Sequence, residues 1–394
     1  MTEFPHLTTA GGILTLVRDG YASSRAEISR LTGLAPSTVT LRVDELLTHG
    51  YLTESGEGRS RGGRRPRTLT VADAQRYVAG VDLGARHATI VLCDTAGEPL
   101  ARTRIATDIT RAPEAVLRDM HEQILAMAAE FPDRELAGIG ISLPGPVGSD
   151  GRVVSPSRMP GWNGIDAASI LRGIAGVPVI AENDANAMAW GEYVVGGRRS
   201  PYMIVVKAGS SIGVGIIANG RLHRGARGLA GDVSHTAVAD GPKTLCSCGR
   251  FGCLDAVAGG RAIVAALAED GLPVDDVSDV AAYARDAHPL AARLLREAGL
   301  RTGAVIATLV GFFNPDRVVI GGALSSAEAF VAGVRSSVYD LCLPMSTSGL
   351  ELIESTAGWE ASARGAAVLM LADLLDPAAI DRRIREERGE VETR

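Results

Sequence analysis

Three of the chain's five cysteines fall within eight residues, in the run Cys246-Ser-Cys-Gly-Arg-Phe-Gly-Cys253, and His235 stands eleven residues before the first of them. Few patterns constrain a fold more, because four side chains that must meet at one point dictate the path of the backbone between them. Three thiolates and one imidazole form a closed four-coordinate set, the arrangement Zn²⁺ takes at structural sites. Gly249 and Gly252 let the backbone curl tightly enough for the sulfurs of Cys246, Cys248 and Cys253 to converge. The competing explanation is a cluster of small buried thiols acting as ordinary core hydrophobes; the spacing and the upstream histidine favour the metal. A closed set leaves no open position for water or substrate. The expected zinc is therefore structural rather than hydrolytic.

At 394 residues and 46% hydrophobic content, the chain can fill two or three domains. No apolar run approaches eighteen residues, and the N-terminus lacks a basic-then-apolar signal layout, so a soluble, cytoplasmic protein is expected. In that compartment cysteines serve as ligands rather than disulfides. Cys93 and Cys342 read as isolated core residues. The formal net charge of −6 argues against a protein coated throughout by nucleic acid. The charge is uneven, however: between Glu57 and Arg67 five arginines face a single glutamate.

That basic stretch belongs to a recognisable sequence of elements. Residues 25–31 read as a short helix, Thr32-Gly33-Leu34 as a turn, and Pro36 as the first residue of a second helix. Val39, Val43, Leu46 and Leu47 form one apolar stripe along it, leaving Ser37, Thr38, Thr40 and Arg42 on the outer face. Short polar and basic groups of this kind suit a recognition helix in the major groove. Gly12, Ile13, Leu14, Leu16 and Val17 belong to a supporting helix upstream. Downstream, strand, Gly/Arg-rich loop and strand make a wing, in which Arg61, Arg64 and Arg65 flank Gly62-Gly63 and can reach phosphates or the minor groove. Alone, the helix pair could be an ordinary hairpin and the loop a solvated charge run. In this order they predict a winged helix-turn-helix that binds double-stranded DNA, over residues 1–74.

From Tyr77 the texture is that of a layered α/β protein. Strands are expected at Val78–Gly84, Thr89–Cys93, Ala137–Ser142 and Val177–Ala181, the last leading into Glu182-Asn-Asp-Ala-Asn186 and a helix. Ligands bind at such strand-to-loop junctions. Asn183 and Asp184 offer an amide and a carboxylate to a polyhydroxylated ligand, and Asp184 could accept a proton from a hydroxyl attacking a phosphoryl group. Asp184 can also serve simply as the N-cap of the helix that follows.

These stretches resemble the ROK family, which joins sugar kinases to sugar-responsive repressors. The resemblance rests on the Gly-Gly-Arg wing, Asp82-Leu-Gly84, Leu143-Pro-Gly-Pro-Val147, Pro160-Gly-Trp-Asn163, Glu182-Asn-Asp184, Gly231-Asp-Val-Ser-His235 and Cys246 to Asp255. It implies an α/β, actin-like (ribonuclease H-like) two-lobed effector domain over residues 75–394, with the zinc site within 231–255. It further implies that Asn183, Asp184 and His235 face a sugar or sugar phosphate, with Gly145 and Asn163 lining its cleft and Asp232 and Asp255 near the ring. Zinc then pins a sugar-reading loop.

The chain departs from the kinase members of the family. Their Asp-x-Gly-Gly-Thr turn is here Asp82-Leu-Gly-Ala-Arg86, and their second phosphate loop is here Lys207-Ala-Gly-Ser-Ser-Ile-Gly213. Phosphate cradles need bare backbone N–H groups and small residues, so Arg86 and Ser211 should obstruct them, although a basic Arg86 or Lys207 could itself hold a phosphate. Val318-Val-Ile-Gly-Gly322, the family's adenosine-side strand, remains. Asp232 and Asp255 stand where family members often place Glu, which implies water-mediated contacts or a ligand bulkier than a plain hexose. The expected protein is a dimeric, sugar-responsive repressor reading a palindromic operator, with Asp184 as a vestigial base. The alternative is an ATP-dependent sugar kinase with a DNA-binding appendage. A helix over Ser362–Asp376 should return to the first lobe, with the charged tail Asp381–Arg394 near the linker or mobile.

Overall fold

The computed structural model describes residues 8–57, 67–72, 75–154, 159–238 and 241–387. The N-terminal helices are bounded by the residues that favour such ends. Helix α1 (Ala10–Arg18) is capped by Thr9, α2 (Arg25–Thr32) starts after the N-cap Ser24 and stops at Gly33, and α3 (Pro36–Thr48) has proline in its first turn. Strands β1 (Leu52–Glu57) and β2 (Arg67–Val71) pair antiparallel, giving the two arms of a wing. The expected stripe packs inward: Val39, Val43 and Leu46 are fully buried against Ile13, Leu14 and Ile28.

The body contains two five-stranded sheets. The first is built from β3 (Arg76–Leu83), β4 (His87–Cys93), β5 (Pro99–Ala106), helix α4 (Pro113–Ala128), β6 (Glu135–Leu143), helix α5 (Ala167–Ala175) and β7 (Val179–Asn183). Helix α6 (Asp184–Val195) follows directly. The second comprises β8 (Met203–Ala208), β9 (Ile212–Ala218) and β10 (Arg221–Leu222), then helices α7 (Leu254–Ala258), α8 (Gly260–Glu269), α9 (Val277–Arg285) and α10 (Pro289–Phe313). It closes with β11 (Arg317–Gly321), α11 (Glu328–Leu341), α12 (Pro344–Thr347) and β12 (Glu351–Glu354). Helices α13 (Ala361–Leu374) and α14 (Pro377–Glu387) end the described chain.

Strand order is β5-β4-β3-β6-β7 in one sheet and β10-β9-β8-β11-β12 in the other. Each is an antiparallel three-stranded meander with two parallel strands added beside its first strand. This repeated topology is the two-lobed, actin-like α/β fold. Helix α13 packs on the first sheet through Ala363, Ala367 and Met370 against Val78, Val91 and Cys93, whereas α6 packs on the second through Met188, Ala189 and Tyr193. The two helices meet at Gly365, where a Cβ would lie 1.8 Å from the carbonyl oxygen of Ala187, so only glycine permits the approach. The lobes thus share a seam of small residues. Cys93 is buried as expected; Cys342 is half-buried.

The C-terminal segment departs from the expectation. Helix α14 packs on α1, burying Ile380 and Ile384 within the winged-helix core, and a carboxylate oxygen of Asp381 accepts a hydrogen bond from Gly11 N at 2.9 Å. Two apolar residues four apart supply one helical face for this contact. A second tie is ionic: Arg198, just past α6, lies 3.6 Å from Asp19 at the end of α1. The N-terminal winged-helix unit and the body are therefore joined through shared packing as well as through the chain.

Candidate functional site

The loop between β10 and α7 brings the four sequence-derived ligands together. The ligand atoms of His235, Cys246, Cys248 and Cys253 all lie within 4.8 Å of one another. Nδ1 of His235 is 3.5 Å from Cys246 Sγ, and the sulfurs of Cys248 and Cys253 are 3.6 Å apart. The turn residues do what the spacing requires: Gly249 and Gly252 take φ of +84° and +69°, and short bridges pair Leu245 with Phe251 and Ala237 with Cys253. Cys246 and Cys253 are buried and Cys248 is exposed. Hydrogen bonding from the Arg250 backbone and side chain holds the Cys248 thiol at about 6, well below its usual value, whereas burial pushes that of Cys253 up to about 12. Soft thiolates with one imidazole, on a backbone already turned, suit a metal ion with a closed shell.

The second constellation lies where β7 becomes α6. Here the N-cap is Asn183, not Asp184: Asn183 Oδ1 accepts from Ala185 N at 3.0 Å and Asn186 N at 3.2 Å, while its Nδ2 donates to the carbonyl of Gly145 at 3.1 Å. A residue ending a strand has the extended φ/ψ that a cap needs, and Asp184 is already helical. Buried Glu182 organises the junction. Its Oε1 accepts from Asn183 N and Asn186 Nδ2, and its Oε2 from Arg224 Nε at 2.6 Å. Glu182 and Arg224 were missed as organisers, since their partners are brought together only by folding. They line a cavity of about 550 Å³ together with Trp190 and Asp373, which excludes Asn183 and Asp184 and so neighbours the cleft rather than forming it.

Asp184 has an unexpected partner. Its Oδ2 accepts from Lys207 Nζ at 2.6 Å, and the same ammonium is 3.6 Å from Asp82 Oδ2 on the other lobe. Burial opposes the lysine's charge, but Asp184 and then Asp82 outweigh it and hold its pKa above the ordinary lysine value. Lys207 is thus engaged by two carboxylates and is no free phosphate ligand. Arg86 is engaged too, donating to the carbonyl of Asp275 at 3.0 Å.

The remaining residues expected near the sugar take varied positions. Asp232 is exposed and accepts a hydrogen bond from Ser234. Asp255 is buried at the start of α7, two residues beyond Cys253, and pairs loosely with Arg261 at 4.0 Å. Asn163 is exposed beside Trp162, whose indole is buried. Strand β9 connects these loops: Val214 N donates to Gly231 O at 3.1 Å, and Gly213 lies against Ala185.

On α3, Ser37 and Thr40 are exposed, and Thr38 and Arg42 half-buried. Arg42 does not project freely as the helical wheel suggests, because its guanidinium lies 3.2 Å from the buried carboxylate of Glu45. Leu41, missed as an apolar residue, is 57% exposed on this helix. Arg61, Arg64 and Arg65 lie outside the described residues.

The ROK family description matches residues 78–373. The chain belongs to the ROK family. Among curated proteins it is 31% identical over 382 residues to a xylose repressor of Caldicellulosiruptor bescii, covering 92% of this chain and 95% of that one. It is 28% identical to the DNA-binding transcriptional dual regulator NagC of Escherichia coli, covering 84% of each. Among solved structures, a ROK family transcriptional regulator described as a homologue of the E. coli MLC protein superposes with a TM-score of 0.79 at 27% identity, covering 96% of this chain and 98% of that one. A ROK glucokinase from Streptomyces griseus, solved with glucose and AMPPNP, gives 0.64 at 29% identity, covering 74% of this chain and 98% of its own. The glucokinase likeness spans less of this chain than the regulator likeness does. Among the described residues, no helix is long and apolar enough to cross a membrane.

Proposed function

We propose that this ROK protein is a cytoplasmic, sugar-responsive transcriptional repressor that binds a palindromic DNA operator as a homodimer. The observation that carries the reading is the joint core of α1 and α14, in which Ile380 and Ile384 of the effector domain complete the packing of the DNA-reading fold. A body that finishes the reading head's core can change operator affinity when it changes shape, and the coupling must run both ways. Ser37, Thr38 and Thr40 meet base edges and phosphates, Leu41 offers an apolar contact to a thymine methyl, and the wing arginines Arg61, Arg64 and Arg65 supply counter-charge. Arg42 acts mainly by bracing α3 through Glu45.

The effector is a sugar held by Asn183, Asp184 and His235, with Gly145 and Asn163 lining the cleft and Asp232 and Asp255 toward the ring. Zn²⁺ on His235, Cys246, Cys248 and Cys253 holds the loop between Gly231 and Asp255 in place; its donor set is closed, so the ion supplies shape rather than chemistry. Catalysis is not assigned. Asp184, the family's base position, is held by the Lys207 ammonium.

The deciding measurement is thermal melting of the full chain with D-xylose, D-glucose, N-acetyl-D-glucosamine and their phosphates, with and without ATP, alongside binding to the DNA upstream of its own gene. One ligand alone should raise the melting temperature and weaken DNA binding severalfold. A rise that requires ATP, with release of ADP, would replace the repressor by a kinase.

A further inference from the structure

The Lys207 cluster joins three separate elements. Lys207 comes from β8 of the second lobe, Asp82 from β3 of the first, and Asp184 from the first turn of the interlobe helix α6. The second oxygen of each acid is also fixed: Asp82 Oδ1 accepts from Ser142 Oγ at 2.6 Å, and Asp184 Oδ1 from Ala185 N at 2.8 Å. The lysine side chain is only 20% exposed and both acids 17%. Two carboxylates this close would repel each other across the lobe boundary without a cation between them. A buried ammonium is costly unless paired and hydrogen-bonded, and here it is both. Arg86 adds a second crossing, from the β3–β4 turn to the carbonyl of Asp275 ahead of α9.

We propose that Lys207 is a positioning residue of the effector site, a built-in cation that ties Asp82 to Asp184 and so preassembles the cleft between the lobes without a second ligand. Resting on the sugar-binding reading above, this assigns the lysine a definite task. It aims the Asp184 carboxylate and fixes the α6 N-terminus, so that sugar hydroxyls meet acceptors already in place. The lysine need not touch the sugar.

The test uses the full chain and calorimetry with D-xylose, D-glucose and N-acetyl-D-glucosamine. Lys207→Met should weaken the sugar that binds the parent chain by about tenfold or more, and Lys207→Arg should retain more affinity than Lys207→Met. Lys207→Ala should regain affinity in ethylammonium chloride and not in equimolar sodium chloride. Parental affinity in folded Lys207→Met, or no specific rescue of Lys207→Ala, would overturn the proposal. If the single variants do not fold, Asp82→Asn with Lys207→Met removes one charge of each sign. Recovered melting with weak sugar binding then supports positioning, and parental binding overturns it. A sugar-free arm separates this idea from the functional reading: ethylammonium should raise the melting temperature of Lys207→Ala but not that of the parent chain. That arm decides even if none of the sugars binds the parent, an outcome that would count against these three sugars as effectors and not against the Lys207 tie.

Discussion

Two hairpin turns occupy equivalent places in the two sheets, β3–β4 around Gly84–Arg86 and β8–β9 around Gly209–Ser211, and each is associated with one cation at the lobe boundary. The cations differ in weight. Arg86 is exposed and reaches a neutral carbonyl, whereas Lys207 is largely buried between two acids. Equivalent topology therefore confers no equivalent energetics; desolvation and the charge of the partner decide. The turns also differ in support. Gly260 N and Arg261 N, at the start of α8, donate to the carbonyls of Gly209 and Ser210 at 2.9 and 3.3 Å, and α8 follows the cysteine loop almost directly. The first turn is instead tied by the strand-edge bond from Gly84 N to His87 O at 2.8 Å.

The largest way to break this comparison is to remove the proposed metal site. Cys248→Ser takes away one of four ligands, and metal affinity should fall by at least about a hundredfold, read by metal content after dialysis. Amide exchange should then accelerate at Gly260 and Arg261 and around Gly209–Ser211, while Gly84–Arg86 keeps its protection. Equal loosening of both turns would mean the cysteine loop does not brace the second one. A smaller effect is expected from Arg86→Ala, which removes an exposed bond to a carbonyl. It should cost under about 1 kcal/mol in denaturant melts, and a larger loss would place the interlobe crossing at Arg86 on a par with Lys207.

How much of this was legible beforehand depends on distance along the chain. Helices α2 and α3 carry their own punctuation in Ser24, Gly33 and Pro36, and the loop of His235 and the three cysteines its own glycines, so local chemistry was enough. The Asn183 cap was misplaced by one residue because capping depends on where the strand's extended backbone ends, which composition does not mark. Lys207 looked like a loose phosphate ligand because Asp82 and Asp184 reach it from different elements. The docking of α14 on α1 links residues 370 positions apart, as in the Gly11–Asp381 bond. Its charge masks the two isoleucines, Ile380 and Ile384, and nothing local marks the surface that covers them.

The smallest expected effect concerns acid, and it distinguishes the two turns by the direction of titration. His87, directly after Arg86, has Nε2 2.7 Å from Arg104 Nη2, so the neutral ring accepts a hydrogen bond from a guanidinium. Burial and then the Arg104 charge lower its pKa from the ordinary 6.5, against opposing pulls from Asp276 and Asp82. The folded state therefore binds this proton less readily than the unfolded chain, and His87 should cost stability progressively as pH falls below 6.5. Lys207 has the opposite sense: its raised pKa stabilises the fold below the ordinary lysine value of 10.5, and that contribution is lost only as pH climbs through the raised value. Denaturant melts from pH 7 to pH 5 should show a shallower decline for His87→Gln than for the parent chain, and only an alkaline series should reach the Lys207 charge. A decline for His87→Gln as steep as the parent's would remove this ring from the acid limb.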